Sequence, residues 1–91
     1  MTRSQENNIR KLIDEQFAKY NLTNKDFLYP KDIEQAFGYS RQILHNWCKD
    51  EKKALDFVVY AHNRRKFPTS LFRNFLIRKW ITEQYPNNPI N

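Results

Sequence analysis

The chain has a single glycine, Gly38, and it lies between two short segments with helical patterning. From Pro30 to about Phe37, the residues Ile33, Ala36 and Phe37 fall on one face of a helix. Gly38 follows at the position where helices usually end in a left-handed residue, which glycine adopts without steric cost. Ser40 is then placed to cap a second helix, because its hydroxyl can accept a free backbone N–H. The sequence therefore predicts two helices joined by a tight turn.

The second helix, Ser40 to Lys49, has an apolar face and a polar, basic face. We expect Ile43, Leu44 and Trp47 to point inward. The outward positions are Arg41, Gln42, His45, Asn46 and Lys49. A short helix, a tight turn and a second helix with a polar outer face are typical of the helix-turn-helix motif of DNA-binding proteins.

The charge of the chain is unevenly distributed. Ninety-one residues allow one domain with a small core, and the net charge is +6. Residues 1–39 carry equal numbers of basic and acidic residues, so the whole excess lies from Ser40 onward. A positive excess favours an anionic partner such as nucleic acid, although a membrane surface is also compatible with it.

Several classes of protein are disfavoured by composition. The single cysteine, Cys48, excludes an intrachain disulfide and is typical of a reducing, cytoplasmic location. Because the N-terminus is polar, we expect no signal peptide, and no apolar run approaches the roughly 18–20 residues that span a bilayer. We expect Cys48 to be a small core residue.

The first segment, Thr2 to Tyr20, has the spacing of an amphipathic helix, with Asn21 as its stop. Its apolar residues recur every three or four positions: Ile9, Leu12, Ile13, Phe17 and Tyr20. The stripe is expected to pack on the domain and extend its core. The alternative is that it forms a dimer contact.

The pattern changes to period two from Ala54 to Ala61, which predicts a strand after a solvated turn at residues 51–53. Asn63 is well suited to the turn that follows, and residues 65–67 return as a second strand. Two strands with a basic tip form a wing. Phe27 to Tyr29 is expected to be a brief extended segment that leads into Pro30.

A last helix is expected from Thr69 or Ser70 to about Gln84. Its apolar face comprises Leu71, Phe72, Phe75, Leu76, Trp80 and Ile81. The predicted fold class is mainly α with a small two-stranded β wing, a winged helix-turn-helix with an added N-terminal amphipathic helix. Residues 1–26 form the added helix and loop, 27–85 the DNA-binding domain and 86–91 a tail.

Two motifs in this order resemble a known family. They are P-x-D-I-x-x-A-F-G-x-S-R-x-x-L-x-x-W from Pro30 to Trp47 and R-K-x-P-x-x-x-F-x-x-F-L from Arg65 to Leu76. The chain thereby resembles the phage and plasmid excisionases (recombination directionality factors), which are related to the winged helix-turn-helix of MerR-type regulators. It departs from that pattern by lacking a glycine at the wing tip and by adding the N-terminal helix. It also ends before the dimerising helix and effector domain of MerR-type regulators, which favours the excisionase-like class.

The resemblance implies how the chain would contact double-stranded DNA. The second helix would enter the major groove, where arginine can pair with guanine and glutamine or asparagine with adenine. The implied major-groove residues are Arg41, Gln42, His45 and Asn46. The implied contacts to the DNA backbone are Ser40, Lys49, Lys52, Lys53 and Arg73. The implied wing contacts are Asn63, Arg64, Arg65 and Lys66, where arginine senses minor-groove width.

Enzymatic and metal sites have little support in the sequence. Ser40 is better explained as a helix cap than as a nucleophile, and one glycine leaves no phosphate-binding loop. His45, Cys48 and His62 are too few and too scattered for a structural zinc site, which takes four ligands. We therefore expect no enzyme activity, no metal and no cofactor.

The resemblance implies an architectural protein of a mobile element that bends DNA beside an attachment site and promotes excision by an integrase. Such a protein would bind direct repeats as a cooperative array. The first alternative is a small phage or plasmid transcriptional repressor, a homodimer on a palindromic site. The second is a protein-interaction module that binds an acidic partner protein. Membrane association is not expected.

Overall fold

The computed structural model describes residues 3–61 and 64–84. The elements follow in the order α1 (Arg3–Lys19), β1 (Phe27–Leu28), α2 (Pro30–Phe37), α3 (Arg41–Trp47), α4 (Glu51–Ala54), β2 (Val59–Ala61), β3 (Arg64–Pro68) and α5 (Thr69–Gln84). The fold is mainly helical, with a small antiparallel sheet. Asn63, Thr2 and residues 86–91, for which the sequence predicts a turn, a helix start and a tail, lie outside the described residues.

The hairpin of α2 and α3 forms where the sequence predicts it. Asp32 accepts a hydrogen bond from the backbone N–H of Tyr29 at 3.0 Å, which satisfies a donor at the start of α2. Gly38 ends α2 with φ of 76°, and its N–H donates to the carbonyl of Glu34 at 2.9 Å. Ser40 caps α3, with its Oγ accepting from the N–H of Ile43 at 3.3 Å. Both predicted caps are confirmed.

The predicted stop of α1 is also confirmed, because Asn21 has φ of 58° and the N–H of the following residue returns to the Phe17 carbonyl. Ile9, Ile13 and Phe17 are buried, and α1 packs against α2 and α5. Leu12 and Tyr20, however, are 51% and 37% exposed, so the buried stripe is narrower than the spacing predicts. Most of the stripe therefore belongs to the core of its own chain.

The long strand predicted from Ala54 to Ala61 is wrong. Asp50 starts a helical turn instead: its carbonyl accepts from Ala54 N–H at 2.9 Å and its carboxylate from Lys53 N–H at 3.3 Å. Residues 51–53, expected to be a solvated turn, therefore lie in α4. Phe57 and Val58 are both buried, so the side chains do not alternate between two faces there. Hydrogen-bonded strand pairing begins only at Val59, the first residue of β2.

The sheet contains one more strand than the predicted wing. Its order is β1-β3-β2, and both pairs are antiparallel. Phe27, in the brief extended segment expected before Pro30, is opposite Pro68 across β1 and β3. The N–H of Thr69 then donates to the Asp26 carbonyl at 3.0 Å. The segment before α2 and the segment before α5 are thus joined through the pairing of β1 with β3.

Aromatic side chains fill the space between the sheet, α3 and α5. The rings of Phe57 and Phe75 stack with centroids 4.1 Å apart, and Phe67 and Phe72 are almost completely buried. Trp80 donates its indole N–H to the Tyr39 hydroxyl at 3.0 Å. This packing fixes α5 against the turn between α2 and α3.

Two further side chains differ from the expected burial. Ile43, expected to point inward from α3, is 36% exposed, and Leu71 on α5 is 38% exposed. Cys48 is buried, as predicted. In the part of the chain that the structure describes, no helix combines the length and the hydropathy needed to cross a bilayer.

Candidate nucleic-acid interface

The polar face of α3 is the most concentrated set of exposed polar side chains on the hairpin. Its residues are Arg41, Gln42, His45 and Asn46, all exposed. Because an α-helix turns about 100° per residue, Gln42 and Asn46 lie opposite the buried Leu44. His45 and Arg41 lie on one side of the helix, between that pair and Leu44. The structure thus brings together the four residues that the sequence assigns to the major groove.

Two of these side chains are already joined. The Nε2 amide of Gln42 donates to the Oδ1 of Asn46 at 3.2 Å, one helical turn away. The pair leaves the Gln42 carbonyl oxygen as an acceptor and the Asn46 amide as a donor. Adenine presents the complementary set in the major groove, with a donor at N6 and an acceptor at N7.

His45 is held by the sheet. The Nη1 of Arg65, on β3, lies 3.2 Å from the Nδ1 of His45 on α3. Side chains alternate across a strand, so Arg65 shares the inner face of β3 with the buried Phe67. Arg65 also lies close enough to Cys48 to oppose the effect of burial, which raises the pKa of that thiol.

Lys66 lies on the other face of the same strand. Its Nζ is 5.3 Å from the ring centroid of Phe27, a cation–π arrangement on the outer face of the sheet. Arg64 begins β3, and Asn63 lies outside the described residues. The predicted wing residues therefore divide, with Arg65 facing α3 and Lys66 facing away from it.

Ser40 is half-buried and acts as the cap of α3. Its oxygen accepts from the N–H of Ile43, and the hydroxyl hydrogen remains as a donor. A backbone phosphate could accept that hydrogen while the cap stays intact.

Basic side chains cluster beyond the C-terminal end of α3. Lys49 and Lys53 are exposed, and Lys52 belongs to α4. Lys53 shares an open surface cavity of about 350 Å³ with Arg78 and Lys79 of α5. Asp56 also lines this depression, so its four charged residues carry a net positive charge of two, which favours an anion such as a phosphate group.

Lys79 is a candidate that the sequence analysis missed. Its Nζ lies 5.0 Å from the ring centroid of Trp47 on α3, and it also pairs with Glu83 at 2.8 Å. Trp47 is half-buried against Tyr39 and Phe75, as expected of a residue packed on the core. From the sequence, Lys79 is predicted only to lie off the apolar face of α5. Its contact with Trp47 joins two distant parts of the chain, so local patterning does not reveal it.

Arg73 lies apart from this cluster. On α5 it is about 160° from Phe75, the residue that contacts Trp47 of α3. Its guanidinium forms two hydrogen bonds with Asp14 of α1, Nε to Oδ1 at 2.5 Å and Nη2 to Oδ2 at 3.0 Å. This bond to Arg73 lowers the pKa of Asp14, and the same bond raises the pKa of Arg73. The structure does not bring Arg73 together with the other predicted DNA contacts.

Within the described ranges, no three His, Cys, Asp or Glu side chains lie close enough together to hold a metal ion. Another surface cavity, of about 530 Å³, lies between α1, the loop that follows it and the start of α5. Asp14 and Arg73 line it and neutralise each other. The hairpin face therefore remains the better candidate for an interface.

In comparisons with known proteins, no family model matches the chain, and no curated protein or solved structure matches it.

Proposed function

We propose that the chain is a DNA-binding protein with a winged helix-turn-helix architecture. α2 and α3 form the helix-turn-helix, and β2 and β3 form the wing. α3 would enter the major groove of double-stranded DNA. The observation that carries the proposal is the single polar face formed by Arg41, Gln42, His45 and Asn46, which borders basic side chains beyond the end of α3.

The residues of this face and of the neighbouring basic cluster suit two kinds of contact, with bases and with phosphates. Arginine and amide side chains on α3 supply the bidentate groups that distinguish bases in the major groove. Lys49, Lys53 and Lys79 supply charge at the other end of the helix, where contacts with phosphates position a protein without specifying sequence. Arg73 is left out of the interface because it lies about 160° around α5 from Phe75, which contacts Trp47 of α3.

The further role is excisionase-like. The chain would bend DNA near an attachment site of a phage or plasmid and favour excision by an integrase. This part is supported by the two sequence motifs, through their resemblance to excisionases. The protein would act without enzymatic activity of its own, as one copy or as a cooperative array on DNA.

A repressor dimer joined through α1 has less support. Three of the five stripe residues, Ile9, Ile13 and Phe17, pack inside their own chain, and only Leu12 and Tyr20 are exposed. A dimer through α1 would have to form on these two residues alone. In the second alternative, an acidic partner protein would bind the same basic cluster in place of DNA.

Selection from a random pool of duplexes tests the proposal. We expect the bound duplexes to share one short motif, as long as the stretch of major groove that α3 can contact. The positions of this motif that vary least among the bound duplexes should be guanine or adenine. Circular-permutation electrophoresis of the selected duplex then tests bending. Recovery of a random pool would overturn sequence-specific binding, and a straight selected duplex would overturn the architectural role.

A further inference from the structure

The bond between Arg65 and His45 connects the wing to the polar face of α3. The two residues are 20 positions apart in sequence, and the Nη1 to Nδ1 distance is 3.2 Å. The inference drawn from this contact rests on the proposed DNA binding and concerns what His45 recognises.

The donor and acceptor in this bond are fixed by chemistry. A guanidinium has five N–H donors, no acceptor, and keeps its charge in proteins. The Nδ1 of His45 must therefore be the acceptor, which requires a bare lone pair on that nitrogen. In a neutral imidazole the single hydrogen then resides on Nε2.

The tip of the His45 side chain consequently becomes a donor. Nε2 is on the far side of the ring from Nδ1, and the side chain is exposed on the face that would meet the DNA. We propose that Arg65 locks His45 in the Nε2–H tautomer, so that His45 donates to a guanine in the major groove. Arg65 is then a positioning residue that acts through His45.

The choice of guanine follows from the acceptors in the groove. Guanine presents two, N7 and O6, whereas cytosine presents the N4 amino donor at that edge. Adenine places a donor beside its N7, and thymine places a methyl group beside its O4. An N–H that cannot change into an acceptor thus favours guanine and rejects cytosine.

The tautomer is measurable without DNA. Long-range ¹H–¹⁵N correlation spectra of the free protein at about pH 8, above the ordinary histidine pKa of about 6.5, distinguish the two ring nitrogens. His45 is expected to show a bare Nδ1 and a protonated Nε2, with the His45→Gln variant assigning its signals. In Arg65→Met the two nitrogen shifts should approach each other as the tautomers exchange. A hydrogen on Nδ1 in the wild type, or identical spectra for both proteins, would overturn the lock.

The base preference is measured on selected duplexes. Changing the guanine opposite His45 to cytosine should weaken wild-type binding roughly tenfold. His45→Ala and Arg65→Met should both reduce this discrimination to about twofold or less. The matched control is Lys66→Met, which removes the same charge from the neighbouring residue of β3 on its other face. It should lower affinity for all duplexes and keep the guanine preference.

The outcomes separate this inference from the proposed function. If Arg65→Met weakens all duplexes equally and keeps the guanine preference, Arg65 is a phosphate contact and the inference is wrong, while DNA binding stands. If no duplex binds the wild type, the proposed function and the base contact both fail. Circular dichroism of each variant verifies that the overall helix content is retained.

Discussion

Arg73 of α5 and Asp14 of α1 are joined by two hydrogen bonds, at 2.5 Å and 3.0 Å, across 59 positions of sequence. The pair fastens α1 to the last helix on the side away from α3. Arg73, which composition alone presents as a phosphate contact, thus lies away from α3 and joins two other helices. The first two predictions concern this pair.

Replacing Arg73 with alanine should affect stability more than DNA binding. Asp14 is 51% exposed, so the loss is expected to be about 0.5–1 kcal/mol in the free energy of unfolding, measured by urea denaturation. Duplex affinity should stay within about twofold. The matched control, Lys79→Ala, should lower affinity and reduce the salt slope by about one unit. If Arg73→Ala lowers duplex affinity and Lys79→Ala does not, then Arg73, and not Lys79, contacts the DNA.

The pH dependence of stability should contain a contribution from Asp14. Because the folded-state pKa of Asp14 is lowered by its bond to Arg73, the carboxylate stabilises the fold above its unfolded pKa of about 3.9. That stabilisation is lost as the pH falls through the lower folded-state pKa. Urea midpoints of wild type and Asp14→Asn should therefore differ at pH 6 and converge once the pH falls below the lowered folded-state pKa of Asp14. Glu15→Gln, on the same helix, is the control, and a difference that persists in acid would refute the assignment.

Gly38 should resist substitution because of its backbone alone. Its φ of 76° is strained for a residue with a Cβ, yet no atom lies within 4 Å of the position that a Cβ would occupy. Gly38→Ala is expected to cost about 1–2 kcal/mol in the free energy of unfolding, with Gly38→Asn costing less. Equal costs for the two variants would show that the left-handed conformation is not the reason for glycine here.

Contacts to bases and to phosphates should respond differently to mutation. Arg41→Ala should cost about 1–3 kcal/mol on the preferred duplex and relax the sequence preference at one position. Lys53→Ala should weaken preferred and unrelated duplexes by the same factor. Competition binding with the two duplexes measures both. If the two variants behave alike, the proposed docking of α3 is wrong.

Local signals in the sequence were sufficient to predict the hairpin. Pro30, Gly38 and Ser40 each act within one helical turn, so the two helices and their caps follow from the residues themselves. The strand from Ala54 failed because burial of both Phe57 and Val58 depends on tertiary packing, which period-two patterning does not contain.

The site was predictable only as a set of exposed residues. Membership of the α3 face follows from helical periodicity. The contact of Arg65 with His45, the contact of Lys79 with Trp47 and the loss of Arg73 to Asp14 all join residues that are distant in sequence. Charge counting treats these cations alike, whereas their partners in the fold give them different roles.

The most direct test of DNA binding is a salt titration of duplex affinity by fluorescence anisotropy. If α3 and the basic cluster together neutralise about four to six phosphates, the logarithm of the binding constant should fall with the logarithm of salt concentration with a slope of about −4 to −5. An affinity that does not change with salt, or no binding at low salt, would contradict the account.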